Sequence, residues 1–296
     1  MKVVITGASG FVGTALHDYL DPSFEFQLLK ARYISNQTFD LKCDVVIHLA
    51  GKVHDLKNVS IPSQYYEANF ELTKQLFDSF LISNASVFIF MSTVKAVADV
   101  VVGVLTEETI PHPKTHYGLS KRQAEEYILS RNLPLNKRVY VLRPCMIHGK
   151  GNKGNLNLLY KVISKGIPWP LGCFKNQRSF LSIDNLCFVI KELLNNETIH
   201  SGIYNLADNE PMSTNNLIQI IGQSLGKRNK ILNIPPFWIT KFALVGDYLF
   251  LPLNSERLQK LTENYVISND KILSALGKKL PINTESGLLK TIESFK

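Results

Sequence analysis

Short apolar runs alternate along the chain with longer stretches in which hydrophobic residues return every three or four positions. The runs at 2–5, 26–29, 44–49, 87–91, 139–142 and 203–206 have the length of buried strands and are rich in Val, Ile, Leu and Phe. The stretches at 11–20, 64–81, 119–129 and 185–194 have the period of amphipathic helices. Strands joined through helices run parallel, and a parallel sheet needs both faces covered, so the pattern predicts an α/β protein with a doubly wound parallel sheet. From Gly149 the rhythm lapses, and helix-like segments are interrupted by Pro168, Pro170, Pro211, Pro235, Pro236 and Pro252. The expected division is a sheet domain over 1–148, rejoined by 180–207, and a smaller, mostly helical domain built from 149–179 and 208–296.

Composition narrows the picture. With 296 residues, 45% hydrophobic and 20% charged, the chain can bury one large core or two modest ones, and a disordered working state is excluded. The start, MKVVITGASG, has four apolar positions before its first glycine, too few for the core of a signal peptide, so a cytoplasmic location is expected. Residues 237–253 are the most membrane-like, but Lys241 and Asp247 interrupt them and they fall short of the roughly 20 residues of a span. A buried or amphipathic helix with no membrane role is expected there. Cys43, Cys145, Cys173 and Cys187 lack metal-type spacing, so they read as reduced core residues and no metal is expected. The net charge of +8 favours an anionic partner. With no zinc-finger spacing, aromatic RNA-binding signature or basic region with heptads, a nucleotide diphosphate is preferred to nucleic acid.

Candidate chemistry begins at the N-terminus. Thr6-Gly7-Ala8-Ser9-Gly10-Phe11-Val12-Gly13 follows the first predicted strand and opens a helix. Glycines there let a pyrophosphate approach the backbone, and the helix start offers unpaired N–H groups and the positive end of its dipole. The acidic residue that would hold the adenosine ribose of NAD about 20 positions on is absent, since no carboxylate lies between Glu25 and Asp40. The second strand instead ends at Lys30 and Arg32, which suit the extra phosphate of NADP, so NADP is preferred over NAD.

Tyr117-Gly118-Leu119-Ser120-Lys121 opens another predicted helix, and the spacing of four puts Tyr117 and Lys121 on one face. An ammonium beside a phenol lowers the phenol pKa from about 10 towards a working range for acid/base chemistry. The apolar strand ending Phe90-Met91-Ser92-Thr93 supplies hydroxyls that fit the same site.

With these motifs the chain resembles an extended short-chain dehydrogenase/reductase, the family of sugar-nucleotide epimerases, dehydratases and reductases. Further segments carry the resemblance: His48-Leu49-Ala50-Gly51, NFELT (69–73), Arg143-Pro144, RSFLSIDNL (178–186) and IYNLADNEPMST (203–214). It implies a Rossmann-type fold and a cofactor held by Gly7, Gly10, Phe11, Val12, Gly13, Leu49, Ala50, Gly51 and Lys121. By the same resemblance Tyr117 is the acid/base, Lys121 its partner, and Thr93, with Ser92 as the other candidate, holds the reacting sugar oxygen. A homodimer is the family's default. Asp40-Leu41 is similar to an adenine-contacting pair, although only residues 33–39 separate it from the basic end of strand two, so the third strand and its crossover helix are expected to be shortened or lost. Lys95 stands where many relatives carry an aromatic residue.

Residues 143–159 and 166–179 are similar to bacterial polysaccharide enzymes that reduce a 4-keto-6-deoxy-N-acetylhexosamine on UDP. That likeness makes Asn152, Asn155, Arg178 and, late in the chain, Arg257 candidates for substrate contact. Reduction of such a keto sugar with NADPH is the first expectation. A UDP-hexose or UDP-N-acetylhexosamine 4-epimerase, with no net cofactor consumption, is the alternative, and a non-catalytic cofactor-sensing protein the reading from another class. A dehydratase is disfavoured because Val94 and Lys95, not an acid, follow Thr93.

Overall fold

The computed structural model describes residues 1–53, 61–152, 154–227, 229–249 and 254–296. The first part of the chain runs β1 (Lys2–Thr6), α1 (Phe11–Tyr19), β2 (Glu25–Leu29), β3 (Val45–His48), α2 (Pro62–Tyr66), a π-helical turn (Glu67–Glu71), α3 (Leu72–Ile82) and β4 (Val87–Met91). A 3-10 turn (Val94–Ala96), β5 (Val104–Leu105), α4 (His116–Leu129), β6 (Arg138–Pro144), β7 (Met146–His148), α5 (Asn155–Ser164), β8 (Phe180–Ser182), α6 (Ile183–Asn195) and β9 (Gly202–Leu206) follow. The last part holds α7 (Thr214–Ser224), α8 (Pro236–Leu249), α9 (Ser255–Thr262), β10 (Val266–Ile267), α10 (Asp270–Leu276) and α11 (Thr284–Glu293).

Six parallel strands form the main sheet in the order β2-β1-β3-β4-β6-β9. This is a Rossmann-type arrangement. The central strands are continuous apolar runs because alternate residues enter different cores. Val3, Ile5, Val45, Ile47 and Ile89 pack under α1 and α6, while Val4, Val46, Phe88 and Phe90 pack against α3 and α4. A third core joins Leu156, Ile163, Leu217, Ile239 and Leu288 from the later helices with Trp169 from the segment after α5.

Three features modify the expectations. Among the described residues no strand lies beyond β2, and residues 30–44 run as coil, in keeping with the short connection read in the sequence. The later chain divides less cleanly than the 208–296 boundary implies: Tyr265, Ile267, Ile272, Leu276 and Leu280 pack into the first sheet core, and β10 pairs with β5. Cys173 is exposed, unlike the buried Cys43, Cys145 and Cys187, because it sits in the coil after Leu171.

Candidate functional site

The glycine loop sits where β1 ends. Gly7 has φ +71, a left-handed conformation that favours glycine, and a side chain there would stand 2.7 Å from the Ala50 amide nitrogen. At Gly13 a Cβ would meet Ala8 Cα at 2.5 Å, so this glycine permits the close packing of α1 on the turn. Gly10 is different: it is the N-cap of α1, with no side-chain cap, and a Cβ there would approach only the Gly7 carbonyl oxygen, at 3.1 Å. The first turn, Phe11, Val12 and Gly13, has no acidic residue. Its amides, which lack intrahelical acceptors, therefore present a positive, uncapped end fit for an anion such as a pyrophosphate.

A directed hydrogen-bond chain braces this turn against its neighbours. The Ala50 amide donates to Thr6 Oγ1 at 3.2 Å, and Thr6 pairs with His48 Nδ1 at 2.6 Å. His48 Nε2 lies 2.9 Å from Thr73 Oγ1, which donates to the Asn69 carbonyl at 2.7 Å. Since the Thr73 proton is committed to Asn69, His48 carries its proton on Nε2 and accepts on Nδ1. Burial pushes His48 down to about 3, keeping it neutral. Asn69, in the π-helical turn, accepts from the Lys52 amide at 2.8 Å and donates to Ser120 Oγ at 3.0 Å, joining the loop after Ala50-Gly51 to α4.

The hydroxyl pair of the site is Thr93 and Tyr117, close enough for the Thr93 hydroxyl to act on the phenol. Thr93 leaves the C-terminal end of β4, and Tyr117 lies in the first turn of α4, capped by Thr115. Burial raises the Tyr117 phenol to about 12, the nearby Thr93 hydroxyl opposing it. Lys121, 3% exposed, donates to the Met91 carbonyl at 2.8 Å and lies beside Gly51, where a Cβ would be 3.1 Å from its nitrogen. Burial pulls Lys121 down to about 8, against the pull of Glu125. The lowered phenol expected from the spacing is thus corrected: Lys121 holds a backbone carbonyl, and burial dominates at Tyr117.

The Ser92 assignment as a sugar contact is also corrected. Its hydroxyl, 3% exposed, donates to Glu125 Oε1 at 2.5 Å. Glu125 is itself forked by Arg143, Nε at 2.9 Å and Nη2 at 2.6 Å, in a fully buried pair. Sequence reading missed Glu125, although its place one turn after Lys121 was the available signal.

Among the other candidates, Arg32 lines a cleft of about 490 Å³ with Tyr33, Ala50, Gly51 and Lys52, whereas Lys30, exposed just after β2, is not in its lining. Leu49 carries the chain from β3 into the cleft, its amide donating to Thr6 O at 3.2 Å. Asp40 and Leu41 lie with Lys2 and Asn84 at the opposite end of the strands, Asp40 paired with Lys42 at 2.9 Å and Leu41 buried in the core. The short coil cannot carry them to the glycine loop, which corrects their adenine assignment. Asn152 is also corrected, because its amide donates to Ile147 O at 3.1 Å and its oxygen accepts from Gly154 N at 2.9 Å, bracing its own loop. Asn155 opens α5, but its side chain lies outside the described residues. Arg178 donates to the Lys260 carbonyl and sits 3.7 Å from Glu263, with a quarter of its side chain exposed. Arg257 lies in the first turn of α9, its amide donating to the Asn254 cap at 2.9 Å. Lys95 lies 4.4 Å over the Tyr265 ring and donates to the Asp99 carbonyl at 2.8 Å.

An open parallel sheet with a turn fit for an anion and a Thr-Tyr-Lys cluster at the carboxyl ends of its interior strands defines a nucleotide-handling enzyme class. The chain belongs to the NAD dependent epimerase/dehydratase family, whose description matches residues 3–207. It is 28% identical to a UDP-glucose 4-epimerase of Vibrio cholerae, over 99% of this chain and 95% of that protein. It is also 28% identical to the N-acetyl-alpha-D-glucosaminyl-diphospho-ditrans,octacis-undecaprenol 4-epimerase of Escherichia coli O157:H7, over 92% of this chain and 84% of that one. In fold it is similar to the solved structure of RMD from Pseudomonas aeruginosa complexed with NADPH, with a TM-score of 0.75, 23% identity and coverage of 99% and 98%.

Proposed function

We propose that this enzyme catalyses NAD(P)-dependent oxidoreduction at carbon 4 of a nucleotide-activated sugar, and that its reaction is reduction of a UDP-4-keto-6-deoxy-N-acetylhexosamine. The observation that carries the reading is the Thr93-Tyr117 hydroxyl pair beside Gly51 and Lys121, reached from the glycine loop through Ala50. A bound dinucleotide would be held by the α1 start at its pyrophosphate and by Arg32, Gly51 and Lys121, and would supply the hydride. Thr93 orients the sugar oxygen, and Tyr117 donates the proton to it as the carbonyl becomes an alcohol. The high phenol pKa in the free protein suits this role, since Tyr117 then stays protonated as a donor at neutral pH. Residues 1–148 with 180–207 would supply the cofactor side and 149–179 with the part of 208–296 outside the sheet core the substrate side, with Arg178 as its candidate contact. The RMD structure, solved with NADPH, supports a reduced cofactor, and Arg32 supports NADPH over NADH.

A 4-epimerase is the second reading, favoured by the names of the two curated relatives. Incubating the enzyme with a panel of UDP-hexoses and UDP-4-keto sugars, with NADH or NADPH, and weighing the products by mass spectrometry separates the two. A reductase consumes one NADPH per product two mass units heavier, whereas an epimerase changes neither mass nor cofactor. No turnover with retained cofactor binding would instead leave a sensing protein.

A further inference from the structure

Helix α8 (Pro236–Leu249) buries only a narrow stripe, Ile239, Ala243 and Gly246, at the i, i+4, i+7 spacing that points one face into the third core. The opposite arc is largely apolar and open. Phe237 (63% exposed), Trp238, Phe242 (62%), Leu244, Val245 and Tyr248 (85%) all face outward. Of the two forms expected for residues 237–253, a buried or an amphipathic helix, the described part is not the buried one, and its open side is largely apolar: the apolar side chains outnumber the core positions available to them. Of its polar residues, Thr240 and Asp247 lie off that arc, and Lys241 lies on it beside Phe237. Asp247 caps the next helix through Ser255, Thr240 bonds the Pro236 carbonyl, and Lys241 lies 5.7 Å over the Phe237 ring.

The surroundings are basic. Residues 149–179 contain six Lys and Arg and no Asp or Glu, and residues 211–246 contain four and none. Backbone bonds between Trp169 and Lys230, and between Leu232 and Trp169, bring these two segments side by side just before α8. Exposed lysines alternate there with exposed apolar residues, Lys165 with Ile167 and Lys230 with Leu232. No helix among the described residues is long and apolar enough to cross a membrane.

We propose that α8 is a docking helix that lies in the surface of an anionic lipid membrane, its outward arc among the acyl chains and the flanking lysines on the headgroups. Apolar residues interleaved with cations, with aromatic rings on the open face, are the composition of an in-plane interfacial helix. A second copy of this chain fits the arc less well, because a two-fold interface sets each patch against itself and would bring Lys241 and its lysine neighbours together, while Asp247, the acid of α8, is engaged by Ser255.

Vesicle co-flotation tests this on the full-length protein, with phosphatidylcholine alone or mixed with phosphatidylglycerol. Binding is expected to the anionic vesicles, to weaken as salt rises, and to fall about ten-fold or more in a Phe242→Glu/Val245→Glu variant. Both positions are exposed, so the folded state survives, as an unchanged thermal midpoint will confirm. Trp238 adds a direct readout: of the two tryptophans, Trp169 is 5% exposed and shielded. Vesicles should shift the emission to the blue in wild type and not in Trp238→Phe. Absence of binding to anionic vesicles overturns the proposal, as does a lipid-free dimer that dissociates in the Phe242→Glu/Val245→Glu variant. Turnover is read separately, so neither result bears on the reaction proposed above.

Discussion

The Lys121 ammonium donates to the carbonyl of Met91 at 2.8 Å, one residue before Ser92 and two before Thr93. The lysine thereby fixes the end of β4 from which the hydroxyl of the site projects, and it does so from beneath Gly51. The loop after β3, the end of β4 and the start of α4 meet at one buried cation.

Tyr117→Phe keeps the ring and removes one hydroxyl that lies near Thr93. The turnover number should fall by roughly 100- to 10,000-fold with substrate affinity nearly unchanged, because the defect sits in proton transfer. Steady-state kinetics with a keto sugar nucleotide checks this, and near-normal turnover would defeat both the reductase and the epimerase readings.

Stability should depend on pH through Lys121. Its pKa of about 8 in the folded protein lies below the unfolded value of about 10.4, so between these limits the unfolded chain binds more protons and stability rises with pH. The contribution is on the order of 2–3 kcal/mol across that window. Urea unfolding of Lys121→Met at several pH values should show a flatter rise than wild type.

The two glycines should fail differently. Gly10→Val places its side chain in front of the α1 start, so the protein folds but loses nicotinamide cofactor binding by calorimetry. Gly13→Ala drives a methyl into Ala8 and should cost about 1–3 kcal/mol of stability.

Arg32→Ala should lower NADPH affinity by about ten-fold or more while sparing NADH, on the scale of one lost charge-assisted hydrogen bond. Lys30→Ala should change the preference less, because Lys30 stands outside the cleft lining that includes Arg32. A wild-type enzyme that uses NADH better would contradict the assignment.

Glu125→Leu leaves Arg143 buried, with its carboxylate partner gone and only 1% of its side chain exposed. A loss of about 3–5 kcal/mol in unfolding free energy is expected. Arg143→Met in the same background should recover part of it, since an uncompensated buried charge then disappears.

The interior strands of the sheet were legible because a strand covered on both faces is an unbroken apolar run, as Val87-Phe88-Ile89-Phe90 shows, and the edge strands β2 and β9 by their short apolar pieces in the same alternation with helices. The two- and three-residue strands β5, β7, β8 and β10 were not, since so few positions establish no period. Within the site, Tyr117 and Lys121 were readable from helical spacing and the glycine loop from its place between strand and helix. The fate of Ser92 was not, because it depends on which hydroxyl at the strand end turns toward Glu125, 33 residues away in sequence. Asn152 misled for a related reason: a short amide side chain bonds its own loop whenever the local turn permits.

The sheet stops at β2, and coil rather than a further strand and helix follows it among the described residues. Among the described residues, the cleft at that edge is lined by Arg32 and Tyr33 on one side and by Gln64, Glu67, Ala68 and Leu72 on the other, with no further strand to close it. In kinetic terms, such an edge is expected to shorten residence time. An enzyme that must exchange spent cofactor for fresh on every cycle gains from rapid release, whereas one that oxidises and re-reduces the same sugar gains from retention. Measuring the cofactor dissociation rate by stopped-flow fluorescence therefore reads the choice between the two reactions from the cofactor's side, without needing the sugar.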